Sequence, residues 1–421
     1  MTRIEKRTYL GAVTFCAAAL WLSLSSCFGA TTAVRYHAYE LPWPDQVFLH
    51  EPYVYAMNNA GVVAGFTLSG QAQALRWDPT NPANVAAGYG ATLLPNLGVR
   101  QSSGIPDSHA YAVNEGGTVA GTSLKSIGRS QELGWRAVKW APGASEPLEL
   151  PVLSTNSVGL TSDAVYGINN AGAAVGYARR YSGDTIMGFR PALWDATTNA
   201  LTELRMLGDA QDSGQFVNGY ARDINNAGVI IGDTSKVTNG VVTEVHAVKW
   251  DAVSALPTEL PMGRPYGIND AGTIVGHGAG NNAARLDPGS SAPVSLLPPV
   301  GASFSSAWDI NELGAIAGQA WNGNDRTAVL WEPGQAVGLD LQTLIDASSG
   351  WNLSDAYGVN DLGWISGSGL YDPDGAAGPQ GPHFATFVLV PVPEPGALTG
   401  VLALAGTVVT RRRRRRRRAA A

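Results

Sequence analysis

Residues 163–180 read DAVYGINNAGAAVGYARR, and nearly the same phrase returns as VYAMNNAGVVAGF (54–66), YARDINNAGVIIGD (220–233) and PYGINDAGTIVGH (265–277). Aligned on its first asparagine, the phrase occurs seven times, at Asn58, Asn114, Asn169, Asn225, Asn269, Asn311 and Asn360. The intervals run from 42 to 56 residues. Every copy has one glycine three residues after the asparagine and another seven residues after it, from Gly61 and Gly65 to Gly363 and Gly367. An Asn-[Asn/Asp/Glu]-x-Gly run between short apolar stretches encodes a tight hairpin. Asn bonds backbone two residues on, and Gly takes the positive φ of a bulged turn. The asparagines and glycines are therefore read as structural.

Two further phrases follow in most copies. One carries a tryptophan (ALRWD, AVKWAP, PALWD, AVKWD, AVLWEP), and the other ends in Leu-Pro or a similar apolar pair (LELP, LTEL, TELP, SLLP). In four copies, from Trp140, Trp194, Trp250 and Trp331, the leucine lies ten residues after the tryptophan. Each copy thus holds four strands: a before the Asn turn, b after it, c with the tryptophan, d ending at the leucine. Four strands per unit, seven times over, predict an all-β, seven-bladed β-propeller. The last copy stops after strand c, while VRYHAYELP (34–42) ends like a strand d. The N-terminal strand is expected to close the last blade and remove its open edge. The tryptophans also resemble a family signature: with the Asn-Gly turns, residues 53–390 resemble the HAF-repeat family of bacterial extracellular proteins. Copies five (AARLDP) and seven (HFATFVLV) depart from it by lacking the tryptophan. The resemblance implies export and repetition, and no particular activity.

The ends of the chain speak of transport. Residues 1–30 begin with Arg3, Lys6 and Arg7, continue with an apolar run from Tyr9 to Leu24, and finish in small residues. This is the pattern of a signal peptide. Cleavage between about residues 27 and 33, or lipidation of Cys27 in a lipobox-like Leu-Ser-Ser-Cys, both suit it. Cys16 and Cys27 are the only cysteines, so a mature body has no disulfide and no thiolate chemistry. At the other end, Pro393-Glu394-Pro395 precedes a short apolar stretch and the run Arg411, Arg412 and onward to Arg418. Residues 391–421 resemble the PEP-CTERM sorting signal, which implies an exosortase-type processing enzyme and transient anchoring in the inner membrane. A simple tail anchor is the alternative.

Charge narrows the partners. Without residues 1–30 and the terminal arginine run, 17 basic side chains face 33 acidic ones, a net of −16. Such a body repels nucleic acid. The six histidines show no metal-binding spacing, and no nucleophile elbow or phosphate-cradling loop is present. The sequence points to no cofactor and no resident metal. Oxygen-rich YDPDGAAG (371–378) and WNGNDR (321–326) would suit calcium, but both also read as turns.

Spacing between phrases separates the two faces of the propeller. The a–b and c–d turns are nearly constant, while b–c loops and d-to-a connections vary, which is where binding is built. The five recurrent tryptophans belong to the core. Trp321 and Trp351 do not recur, and are expected on adjacent loops of the variable face as a stacking platform for a glycan. Two functions follow: a surface-displayed binding or structural module, within an exopolysaccharide-rich envelope as the sorting signal implies, or a glycan-active hydrolase or lyase.

Overall fold

The computed structural model describes residues 36–392 apart from 45–51, 68–71, 82–87, 252–255, 279, 281, 376–377 and 380. The signal segment and Pro393, Glu394, Pro395, Arg411 and Arg412 of the sorting signal lie outside the described residues. Tyr36–Pro391 form one compact unit. It is a seven-bladed β-propeller. Its blades span 52–93, 108–149, 164–203, 219–259, 264–295 and 304–340, and the seventh joins 351–391 to the N-terminal strand Tyr36–Glu40. Every blade has four antiparallel strands a-b-c-d, and in blade two Thr161–Ser162 adds a short parallel pairing to strand c.

The clasp forms as its sequence predicts. Tyr36 pairs with Pro391 and Glu40 with Phe387, placing the N-terminal strand as strand d of blade seven. Leu41, just beyond it, is buried, and the indole Nε1–H of Trp77 in blade one donates to the Pro42 carbonyl at 2.8 Å. The same latch joins Trp140 to Pro95, Trp194 to Pro151, Trp250 to Arg205 and Trp331 to Leu297. Each tryptophan is buried, and each donates to the carbonyl just past strand d of the preceding blade. This explains the pairing of the second and third phrases: the leucine fills the core, and the next carbonyl receives the neighbour's indole. Copies five and seven lack the latch, since Leu286 and Leu389 stand opposite Ile274 and Ile365, where the other blades place tryptophan.

The two glycines of each phrase have different reasons. The first, such as Gly172 (φ 91°), takes the left-handed conformation of the turn. The second lies under a bulge in strand a. A Cβ on Gly176 would stand 1.9 Å from the Ala164 carbonyl oxygen, so only glycine lets the strands approach. That bulge recurs in all seven blades and re-aims one side chain of each strand a.

Candidate functional site in the central channel

Strand a is the first strand of every blade sheet and meets its counterparts in the neighbouring blades, so its side chains line the channel. At the a–b turn end, the seven asparagines form a closed ring. Asn58 Nδ2 donates to the Asn114 carbonyl at 3.0 Å, Asn114 to Asn169, Asn169 to Asn225, and so on until Asn360 donates back to Asn58 at 3.2 Å. Each Oδ1 meanwhile accepts the backbone N–H four residues on, as Asn169 does from Ala173 at 3.0 Å. A second ring runs alongside it through the next residues. The backbone N–H of Asn59, Glu115, Asn170, Asn226, Asp270, Glu312 and Asp361 each donates to the side chain of the following one, and Asp361 closes on Asn59. Members of both rings in blades two to six line a polar cavity of about 130 Å³. Its carboxylates are committed to the blade contacts. Asp223 and Asp309, both part-buried, each bridge to the strand a backbone of a neighbouring blade: Asp223 accepts from Ile224 and Ile268, Asp309 from Ile310 and Val359. Burial lifts Asp223 to about 7 and Asp309 to about 6 against the backbone bonds that hold them down.

The middle of the channel is different. Three residues before each asparagine, at the bulge, stand Tyr55, Tyr111, Tyr166, Arg222, Tyr266, Trp308 and Tyr357. Their rings form a near-continuous layer. Centroids lie 5.2 Å apart for Tyr55–Tyr111, 5.4 Å for Tyr111–Tyr166, 4.7 Å for Tyr266–Trp308, 6.5 Å for Trp308–Tyr357 and 6.0 Å for Tyr357–Tyr55. Arg222 fills the one non-aromatic place, its guanidinium 5.7 Å from the Tyr266 ring and 5.6 Å from Tyr220. Six of the seven are part-exposed and Tyr55 is exposed at 41%. Burial raises the hydroxyls of Tyr55, Tyr111, Tyr166 and Tyr357, so they are neutral hydrogen-bonding groups.

Toward the variable face the walls diverge. On blades one and two they are aromatic: Phe66 packs on His109 (4.3 Å), His109 stacks on Trp135 (5.3 Å), and Arg100 lies over Trp135. His109 is pushed down to about 4 by burial and by Arg100, and stays neutral. On blades four to six they are polar. Asp233 pairs with Arg222 and stands 3.8 Å from Arg264, and His277 Nε2 lies 2.6 Å from Ser306 Oγ. The rim also varies in height. Strands b and c have nine and ten residues in blades two, three and four, but four each in blade five. At about 3.3 Å per residue, blade five is lower by roughly 16 Å.

The two tryptophans expected on this face part company. Trp351 opens strand a of blade seven, 6% exposed, stacked on Tyr371 at 4.5 Å and edge-on to Phe387 at 5.5 Å. It is a packing residue rather than a loop residue, because strand a of this blade extends to nine residues and draws it into the sheet. Trp321 lies in strand b of blade six, part-exposed, stacked on its cross-strand partner Phe304. Residues 321–326 form a two-residue hairpin that pairs Asn322 with Asp325 around Gly323. Among the described residues, no group of three or more His, Cys, Asp or Glu side chains is placed to hold a metal ion. The aromatic layer is not among the sequence expectations. Its signal was in the opening phrase itself: Tyr recurs three residues before the asparagine in five copies, with Trp in a sixth.

One family model matches, described as "Protein of unknown function (DUF3466)", over residues 53–243. Among curated proteins nothing matches. Solved structures similar to the chain include polysaccharide lyase Uly1 (9% identity, TM-score 0.46, covering 84% of this chain and 92% of that one). Two others are the β-propeller domain of the Trilobed protease from Pyrococcus furiosus (10%, 0.43, 81% and 94%) and a gluconolactonase from Xanthomonas campestris (8%, 0.40, 87% and 94%).

Proposed function

We propose that the chain is an exported binding module of the bacterial surface or extracellular matrix, which takes a glycan at the variable-face end of its channel. The observation that carries this is the layer of six aromatic rings and one arginine, part-exposed beneath a mouth of mixed aromatic and charged walls. Apolar ring faces with a few convergent polar groups are what small-ligand sites are made of. Sugars present both an apolar face for stacking and hydroxyls for hydrogen bonding. Display at the surface rests on the N-terminal signal pattern and the PEP-CTERM-like end, and the HAF-repeat resemblance agrees with it. An exosortase-type enzyme is the processing partner in this reading, and envelope exopolysaccharide the ligand class.

A second reading, a glycan-active enzyme, is favoured by one specific arrangement. His277, held neutral by burial and by Arg264, meets Ser306 at 2.6 Å beside the ring of Tyr266 at 5.2 Å. A neutral imidazole hydrogen-bonded to a serine hydroxyl has the makings of a proton-transfer pair. A glycan array with a product assay on the bound sugars separates the two. Retention of an unaltered oligosaccharide supports the module, and release of shortened or unsaturated products supports the enzyme. Intact mass of surface material tests export: the mature form should lack residues 1–26 and the segment after Pro393-Glu394-Pro395, and persistence of Arg411–Arg418 there would refute processing.

A further inference from the structure

The geometry points to a carboxylate-bearing sugar, a uronate residue of an acidic polysaccharide, as the ligand, seated against Arg222 and Arg264 where the rim drops at blade five. This rests on the glycan-binding reading and narrows it. Around the channel the seven places at the bulge are aromatic except for Arg222. Its Nε bonds Asp233, and its guanidinium is flanked by the Tyr220 and Tyr266 rings. Arg264, on the next blade and half exposed, shares the same carboxylate at 3.8 Å. Two guanidiniums over one carboxylate leave a net positive charge on the channel wall of a strongly acidic body. Ring-stacked arginines keep their forked N–H groups available for bidentate contact with a carboxylate. The nearby imidazole of His277, its pKa lowered by burial and by Arg264, adds nothing to that charge.

A second observation concerns hydrogen bonding. Asp233 Oδ2, Trp308 Nε1 and Gln319 Oε1 are buried without a hydrogen-bond partner among the described residues. They belong to blades four and six, either side of blade five. A buried polar atom left unpaired costs about 1–3 kcal/mol, so such groups are retained where something completes them. One donor and two acceptors suit the hydroxyls of a sugar, and the arginines suit its carboxylate. Blade five, with its short hairpin, gives an extended chain room to enter.

The experiment is calorimetric titration of the full chain with oligomers of galacturonate, mannuronate and glucuronate, and with neutral cello-oligomers of equal length. Acetate and inorganic phosphate serve as anion probes. At least one uronate oligomer should bind ten or more times tighter than the neutral series, more weakly at high salt. Arg264→Gln should cost tenfold or more in that affinity at an unchanged melting temperature. Arg285→Gln, whose side chain pairs with Asp287 on strand c of blade five, should leave it unaltered. Neutral oligomers binding as tightly, indifferent to Arg264→Gln, would overturn the uronate assignment and leave the glycan reading standing. Acetate or phosphate binding as tightly as the oligomers would overturn it too, marking an adventitious anion site only. No binding by any oligosaccharide would overturn both.

Discussion

The two ends of the channel are built from the same seven strands, yet one is uniform and the other is not. At the turn end every blade contributes asparagine, and each side chain completes its neighbour's hydrogen bonding until the ring closes. Three to five residues earlier on the same strand, the sevenfold rule breaks: Tyr gives way to Arg222, and the next layer carries Tyr53, His109, Ala164, Tyr220, Arg264, Ser306 and Asp355. Identical residues around a ring satisfy one another and leave nothing for a ligand. Where the symmetry fails, unmatched charges and unpaired polar atoms remain. The difference is why we place structure at one end and propose recognition at the other.

The comparison can be broken hardest at the clasp. Deleting residues 36–42 removes strand d of blade seven and the carbonyl that receives the Trp77 indole, exposing an edge. The truncated chain should lose soluble monomer on size-exclusion chromatography and melt far below the parent. Equal melting and solubility would show that the ring closes without it.

Single side chains come next. Trp194→Ala and Trp351→Ala should each cost about 3–5 kcal/mol in chemical denaturation, since both rings are buried. Trp321→Ala, part-exposed, should cost about 1 kcal/mol or less. Asn169→Ala at the turn end removes two hydrogen bonds and strands the Ala173 N–H, while the Asn225 carbonyl keeps its bond from Gly228, and should cost about 1–3 kcal/mol. Arg264→Gln at the mouth should change stability by less than about 0.5 kcal/mol. Similar losses for Asn169→Ala and Arg264→Gln would erase the distinction between the two ends.

The smallest effect is on pH dependence. Asp309 titrates at about 6 when folded, above its unfolded value near 3.8. The folded chain therefore holds this proton more tightly, and the stability it lends at low pH is lost as pH rises through about 4 to 6. Asp309→Asn lowers stability throughout, because its amide offers one acceptor to the N–H groups of Ile310 and Val359. It also removes the titration, so the gap between parent and variant should narrow as pH is raised. Denaturant midpoints at pH 4 and 7 check this, and a gap that widens would contradict it.

How much of this was legible in the sequence follows from what repeats. Asn-x-x-Gly turns, the tryptophan-to-leucine spacing and the missing last strand determine four strands per blade, seven blades and the N-terminal clasp, because local turn chemistry and strand count are written residue by residue. The channel was harder. The recurrent tryptophans mark the core, as at Trp194, but strand a is innermost, so the repeated Tyr166 lines the channel instead. Absence from the repeat does not mark the site at Trp351, which is drawn into an elongated strand. The pairing of Arg222 with Asp233 depends on a bulge that re-aims one side chain, and no sequence spacing announces where that side chain goes.

The most direct test of the division is hydrogen–deuterium exchange of the full chain with and without the tightest-binding uronate oligomer. Amides of Gly219–Ile224, Arg264–Ile268 and Ile274–His277 should gain protection at the mouth of blades four and five. The turns at Asn58, Asn114, Asn169 and their counterparts should exchange slowly in both states and change little. Protection appearing at the asparagine turns, with none at blades four and five, would contradict the account.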